Sequence, residues 1–188
     1  NNAYDADATE VKITLSPQTI TVEDNGTGMD LEGLKQYFNI GSPEKRLHTK
    51  SPRLGRERIG QFGIGKFATP SACETFEVHT QSQGFAAKVV FDKKEWEKSG
   101  DSWYLPLETP PYDPKQADGT TVVLSKLKKQ FDPNLVEQRI VESCPIRDPH
   151  FKVYLNGIRV RARYLPGRRV PFLEGTKFGP VHGEIIIL

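Results

Sequence analysis

The chain has 188 residues, with 26 Lys and Arg against 24 Asp and Glu, and 36% of it is hydrophobic. That length suits one ordinary domain with part of a second, and the near-even charge gives no global attraction to nucleic acid or to a membrane surface. Two cysteines exclude a disulfide framework, and no apolar run approaches the ~20 residues of a spanning helix. The composition is that expected of a cytoplasmic protein.

Residues 1–9, rich in Ala and Asp, read as the end of a helix whose earlier turns would precede Asn1. Residues 11–15 and 20–23 alternate with period two around a Ser16-Pro17-Gln18 turn, which predicts a hairpin. Asp30 suits a helix N-cap, with Leu31, Leu34 and Phe38 following at helical spacing. Residues 41–60 hold few apolar anchors and predict a long loop, and a second helix is expected from Gly65 through Ala72. Strands follow at 75–81, 85–91, 102–107 and 119–125, with a charged turn between Trp96 and Trp103. Residues 135–141 predict a short helix. Asn156-Gly157 predicts a tight hairpin between strands at 151–155 and 158–163, and a last strand begins near 181.

This order predicts an α+β fold: a two-layer sandwich of one mixed, mostly antiparallel sheet with helices on one face. The boundary falls near residue 130, between a first domain over 1–130 and a β-rich segment over 131–188.

Charge is distributed in blocks. Residues 1–32 hold seven acids and one base, whereas residues 44–66 hold seven bases and two acids. Such blocks serve either as solvated faces or as the two ends of a site for a nucleotide and its metal. Arg159, Arg161, Arg163, Arg168 and Arg169 form a further basic stretch that could track nucleic-acid phosphates or face solvent on an exposed strand.

Three short motifs carry chemistry. Asp24-Asn25-Gly26-Thr27-Gly28-Met29 ends a strand just before a helix. Its carboxylate could accept from an exocyclic amine, Gly26 and Gly28 would let a flat ring approach the backbone, and Met29 could pack on that ring. An ordinary Asp-Gly turn explains the same residues. Gly60, Gly63, Ile64, Gly65 and Lys66 form a glycine cluster at a helix start, which suits an anion. Phe67 stands where a P-loop needs Ser or Thr, and the preceding basic loop does not suit a dinucleotide fingerprint. Glycines packing a helix on a sheet remain the structural alternative. Asn2 and Asp5 lie three residues apart on one helical face, and Asn2 offers a neutral oxygen to Mg²⁺.

In this order and spacing the motifs resemble those of the GHKL ATPases, the superfamily of gyrase B, the ninety-kilodalton heat-shock chaperone, histidine kinases and MutL. The nucleotide site of that superfamily is the Bergerat fold. Asn2-x-x-Asp5-Ala6 resembles the N-box, Asp24-x-Gly26-x-Gly28 the adenine-binding box, and Gly60-x-x-Gly63-x-Gly65 the phosphate box. Asp118-Gly119-Thr120-Thr121 resembles the Gly-Thr box, so the resemblance covers roughly residues 1–126. Within the superfamily the motifs look closest to the MORC and MutL branch and its bacterial, chaperone-like relatives.

The resemblance implies that Asn2 ligates Mg²⁺, that Asp5 lies beside the nucleotide, and that Asp24 binds the adenine amine with Met29 against the ring. It also implies that Gly63, Ile64, Gly65 and Lys66 approach the phosphates and that Thr120 reaches adenine through water. Function is then expected to be ATP binding and hydrolysis, with lid closure by residues 42–59 and ATP-dependent homodimerisation. The general-base glutamate would lie four residues before Asn2, upstream of Asn1, so residues 1–188 alone are expected to turn ATP over slowly. By the same resemblance residues 131–188 would open a transducer-like segment. Readings of other classes are a nucleotide switch without hydrolysis, a histidine-type phosphotransferase and a nucleic-acid module.

Overall fold

A computed structural model describes residues 1–38, 50–59, 71–99, 106–162 and 167–187. Helix α1 is Asn2–Asp5, and the hairpin follows as β1 (Glu10–Leu15) and β2 (Thr19–Asp24). Helix α2 (Leu31–Phe38) starts where Asp30 Oδ1 accepts from Gly33 N at 2.8 Å. Then come β3 (Cys73–Ser82), β4 (Phe85–Asp92), helix α3 (Lys93–Ser99), β5 (Leu107–Glu108) and β6 (Gly119–Leu127). Helix α4 (Pro133–Ser143) is capped by Asp132, and β7 (Lys152–Leu155) and β8 (Ile158–Arg159) flank Asn156 and Gly157, at φ of 49° and 80°. Strands β9 (Arg168–Thr176) and β10 (Gly179–Ile187) close the described chain.

Helix α3 replaces the charged turn expected near Trp96. The stretch Lys93–Ser99 has too few apolar residues to show a helical period, but Asp92 Oδ1 takes the amides of Lys94 and Glu95 at 2.9 and 3.3 Å and starts the helix as a cap. Strand β9 has no counterpart among the expected elements. The expected strand over 158–163 is shorter, ending at Arg159.

Eight strands form one sheet in the order β5-β4-β3-β6-β2-β1-β7-β8, while β9 and β10 form a separate two-stranded sheet. Every pairing in the large sheet is antiparallel except β1 with β7. Because β7 is hydrogen-bonded beside β1, a boundary at residue 130 would cut through this sheet.

Register shows which residues share a face, since directly opposed residues project to the same side. Leu155, Ile13, Val22, Val122, Val78 and Val89 oppose one another in sequence across six strands. This row forms the apolar middle of the inner face; Val78 and Val89 have no exposed surface, and Ile13, Val22 and Val122 are part-buried. Helix α2 covers one half through Leu34, against Cys73, Phe76, Ala87 and Val89. Helices α1 and α4 cover the other half through Ala3, Tyr4, Val136 and Ile140, against Val11, Phe151 and Val153. The opposite face carries Lys12, Glu23, Thr121, His79 and Lys88 in register, which suits solvent. The fold is therefore the expected mixed, mostly antiparallel two-layer sandwich.

Candidate functional site

Two residues along each strand from the apolar row, the same face turns polar at its centre. Val153, Val11, Asp24, Thr120, Thr80 and Ala87 oppose one another there. Asp24, the last residue of β2, accepts from Gly26 N at 3.0 Å. Burial pushes its carboxyl above the ordinary aspartate range, while the backbone amides of Gly26 and Thr120 act in the other direction. On α2, burial and the charge of Asp24 together raise the phenol of Tyr37. Thr80 Oγ1 accepts from Met29 N at 2.8 Å, lies 3.2 Å from Gly119 O, and lies 3.4 Å from Thr120 Oγ1.

The loop after Asp24 can only run where it does because it lacks side chains at two points. Gly28 has φ of +64°, and a Cβ there would lie 2.0 Å from Gln81 O. A Cβ on Gly26 would lie 2.6 Å from Ala6 O, so this loop and the end of α1 touch backbone to backbone. Thr27 N donates to Ala6 O at 2.8 Å, and Asn25 Oδ1 takes the amides of Thr9 and Glu10 at 2.9 and 2.8 Å. Asn2 and Asp5 are thereby held beside the Asp24 loop.

Asn1 occupies the N-cap position of α1. Its carbonyl accepts from Asp5 N at 3.0 Å, closing the first helical turn, and its exposed side chain makes no capping hydrogen bond. The Asn1 carbonyl thus ties the turn that carries Asn2 and Asp5. The general-base glutamate expected upstream of Asn1 lies outside the described residues.

A third stretch, residues 50–59, docks on the same helix. Asp7, at φ of 60° and 6% exposed, accepts from Ser51 Oγ, from Arg53 N at 2.6 Å and from Leu54 N at 3.2 Å. Ile59 N donates to Asp5 Oδ1 at 2.9 Å. Arg56, 8% exposed, donates to Ala8 O at 2.6 Å and His150 O at 3.0 Å, and its Nε lies 3.5 Å from Asp148. Its guanidinium also covers the Tyr4 ring at 4.5 Å. Arg53 Nη2 reaches Asp118 Oδ2 at 3.7 Å, on the approach to the Gly119-Thr120 pair. The sequence predicts a long loop with few apolar anchors here, and residues 50–59 form no helix or strand beyond a bridge of Lys50 with Glu57; their anchors are polar, because buried carboxylates and carbonyls take their donors.

The structure thus gathers residues 2–8, 24–29, 50–59, 80 and 118–120 at one end of the inner face. A cavity lined by Pro17, Thr19, Ser125 and Leu127 lies at the other end of β2 and β6, where Thr19 opposes Ser125. Of these two ends, the Asp24 end is the one that combines a buried carboxylate, backbone donors and glycines at contact distance.

The sequence model of the family described as histidine kinase-, DNA gyrase B-, and HSP90-like ATPase matches residues 1–126. This chain belongs to that ATPase family. A protein of Herpetosiphon aurantiacus, provisionally named type II restriction enzyme HgiDII, is 32% identical over 134 residues, covering 69% of this chain and 22% of the relative. The chaperone protein HtpG of Oceanobacillus iheyensis is 31% identical over 140 residues, covering 72% and 21%. HtpG of Bacillus licheniformis is 29% identical over 134 residues, covering 69% and 20%. The chain spans about a fifth of the length of these curated relatives.

In this ATPase-family chain, Asn2, Asp5, Asp24, Gly26, Gly28, Met29 and Thr120 fall within the described residues, and all lie at the polar end of the sheet or on α1 beside it. Gly60, Gly63, Ile64, Gly65 and Lys66 lie outside them, as does Arg163. Arg159 ends β8, Arg161 follows it, and Arg168 and Arg169 are in β9, where Arg169 pairs with Glu184 at 2.7 Å. Sequence reasoning misses Asp7, Ser51, Arg56 and Thr80. Asp7, Ser51 and Arg56 show no local period or spacing, and Thr80 looks like any strand threonine.

Among the described residues no three His, Cys, Asp or Glu side chains converge on a metal-sized site. Asn2 is exposed at the start of α1, and its single neutral oxygen fits a Mg²⁺ that arrives with phosphate oxygens and keeps several waters. No described helix is long and apolar enough to cross a membrane.

Proposed function

We propose that the polar end of the inner face binds Mg-ATP, with adenine on the Asp24–Thr120–Thr80 row and phosphates toward α1 and the glycine cluster. The observation that carries this is a partly buried Asp24 carboxylate, fixed by the Gly26 amide and flanked by glycines at van der Waals limits. A carboxylate held this way accepts from an amine-bearing ring edge and rejects a carbonyl. That selects adenine over guanine. Met29 would lie against the ring, Thr120 would reach it through water, and Asn2 would hold a Mg²⁺ that supplies positive charge beside the phosphates. Gly63, Ile64, Gly65 and Lys66 are proposed to approach the phosphate oxygens, and Asp5 to lie beside them.

Hydrolysis, lid closure by residues 42–59 and ATP-dependent pairing of two copies complete the reading, with the general base supplied from upstream of Asn1. A water attacking in line at the γ-phosphate needs positioning and charge stabilisation more than covalent help. The relatives carry names of a chaperone and of a restriction enzyme, and the nucleotide step proposed for this chain could serve either. We further propose that the nucleotide-binding unit extends through β8, and that β9 and β10 open the transducer-like segment.

Titration calorimetry tests the reading. ATP and ADP should bind and GTP should bind at least tenfold more weakly, while Asp24→Asn should weaken ATP at least tenfold by setting a donor against the amine. Unchanged ATP affinity in Asp24→Asn would overturn the adenine assignment.

A further inference from the structure

Residues 50–59 hold four cations: Lys50, Arg53, Arg56 and Arg58. Three have anionic or carbonyl partners within the segment's surroundings. Lys50 Nζ lies 3.9 Å from Glu57, Arg53 reaches Asp118, and Arg56 takes Ala8 O, His150 O and Asp148. Arg58 differs. Its Nε is buried and has no hydrogen-bond partner among the described residues.

We propose that Arg58 is a phosphate-contacting residue of the nucleotide site, with its guanidinium taking oxygens of the ATP polyphosphate. This rests on the reading of the site as an ATP site. An unsatisfied buried donor on a permanent cation is rare and needs an explanation, and a ligand anion supplies one.

Position agrees with this. The next residue, Ile59, gives its amide to Asp5 Oδ1 at 2.9 Å, which pins the Arg58 backbone against α1, where Asn2 and Asp5 lie. The glycine cluster starts one residue later, at Gly60. A planar guanidinium matches two phosphate oxygens at once, which a lysine ammonium does not.

Calorimetry of adenosine, Mg-ADP and Mg-ATP on residues 1–188 tests this. Arg58→Ala should weaken Mg-ATP about tenfold or more, weaken Mg-ADP less, and leave adenosine unchanged. Arg58→Lys should recover part of the loss, and the empty protein should melt no lower in either variant. If Arg58→Ala does not fold, Arg58→Gln keeps the buried stem and allows the same three comparisons. Equal ATP affinity in wild type and variant, or an equal loss for adenosine, would overturn the assignment and leave the ATP site standing. A wild-type chain that binds none of the three overturns both.

Discussion

Two rows of one sheet face, a single side-chain step apart, behave as different materials. Ile13, Val22, Val122 and Val78 form an apolar row, and Val11, Asp24, Thr120 and Thr80 form the next. Both rows use the same strands and the same pairings. What differs is that the second row lies where β2 ends and the chain must turn, so backbone amides of residues 26 and 29 become available as donors. Polar side chains are tolerated there because each has a partner, and in the apolar row no such backbone donors are free of the ladder. The site is therefore a local exchange of apolar for hydrogen-bonding residues on an otherwise continuous core.

The hardest blow to this contrast comes from the apolar row. Val78→Ala removes two methyl groups from a fully buried position and should cost about 2–3 kcal/mol of stability in urea unfolding. ATP affinity of the folded protein should stay within about twofold, since the row holds packing and no ligand contact. A large affinity loss without a stability loss would show that the rows are not separate.

Asp24→Asn should act in the opposite sense on stability. Burial raises the folded-state carboxyl above its unfolded value, so the ionised form is disfavoured in the fold. Sign follows: the wild type gains stability as pH falls from above the raised folded value toward the unfolded value of about 3.9, and is penalised at neutral pH. The empty variant should accordingly melt higher than wild type at pH 7, by an amount set at up to about 1 kcal/mol by partial burial, and the gap should narrow as pH drops. A variant that melts lower at pH 7 would show that the charge is stabilised in the empty site.

Thr80→Val keeps shape and removes the acceptor of the Met29 amide at 2.8 Å. About 1 kcal/mol of stability should be lost, with ATP affinity down a few-fold because Met29 is freed. Smallest of all, Glu77→Gln on the solvent face breaks contacts to His79 and Lys88 at 3.0 and 3.7 Å. Those exposed pairs should be worth no more than about 0.5 kcal/mol, and nucleotide affinity should not move.

Much of this is legible in the sequence. The alternation in 11–15 and 20–23 marks the first hairpin, Asp30 marks the start of α2, and Asn156-Gly157 marks the last turn of the large sheet. Asp24, Gly26 and Gly28 stand out because turn chemistry and strand ending coincide within five residues. Helix α3 does not, since a seven-residue helix capped by Asp92 needs no hydrophobic period.

What the sequence determined by itself is local: period two or 3.6, capping carboxylates, and glycines where the backbone must bend or be approached closely. Those signals act within a few residues, so they survive being read one segment at a time. Only the tertiary structure decided that β7 runs parallel beside β1, fixed by Lys152 N on Thr9 O and Asn156 N on Ile13 O. It alone decided that Asp7 and Ser51, 44 residues apart, share a hydrogen bond, and that Arg56 joins Ala8 to His150. Such pairings bring together groups distant in the chain, and many alternatives share their composition. Their energy depends on shared burial, which exists only once the sheet has assembled.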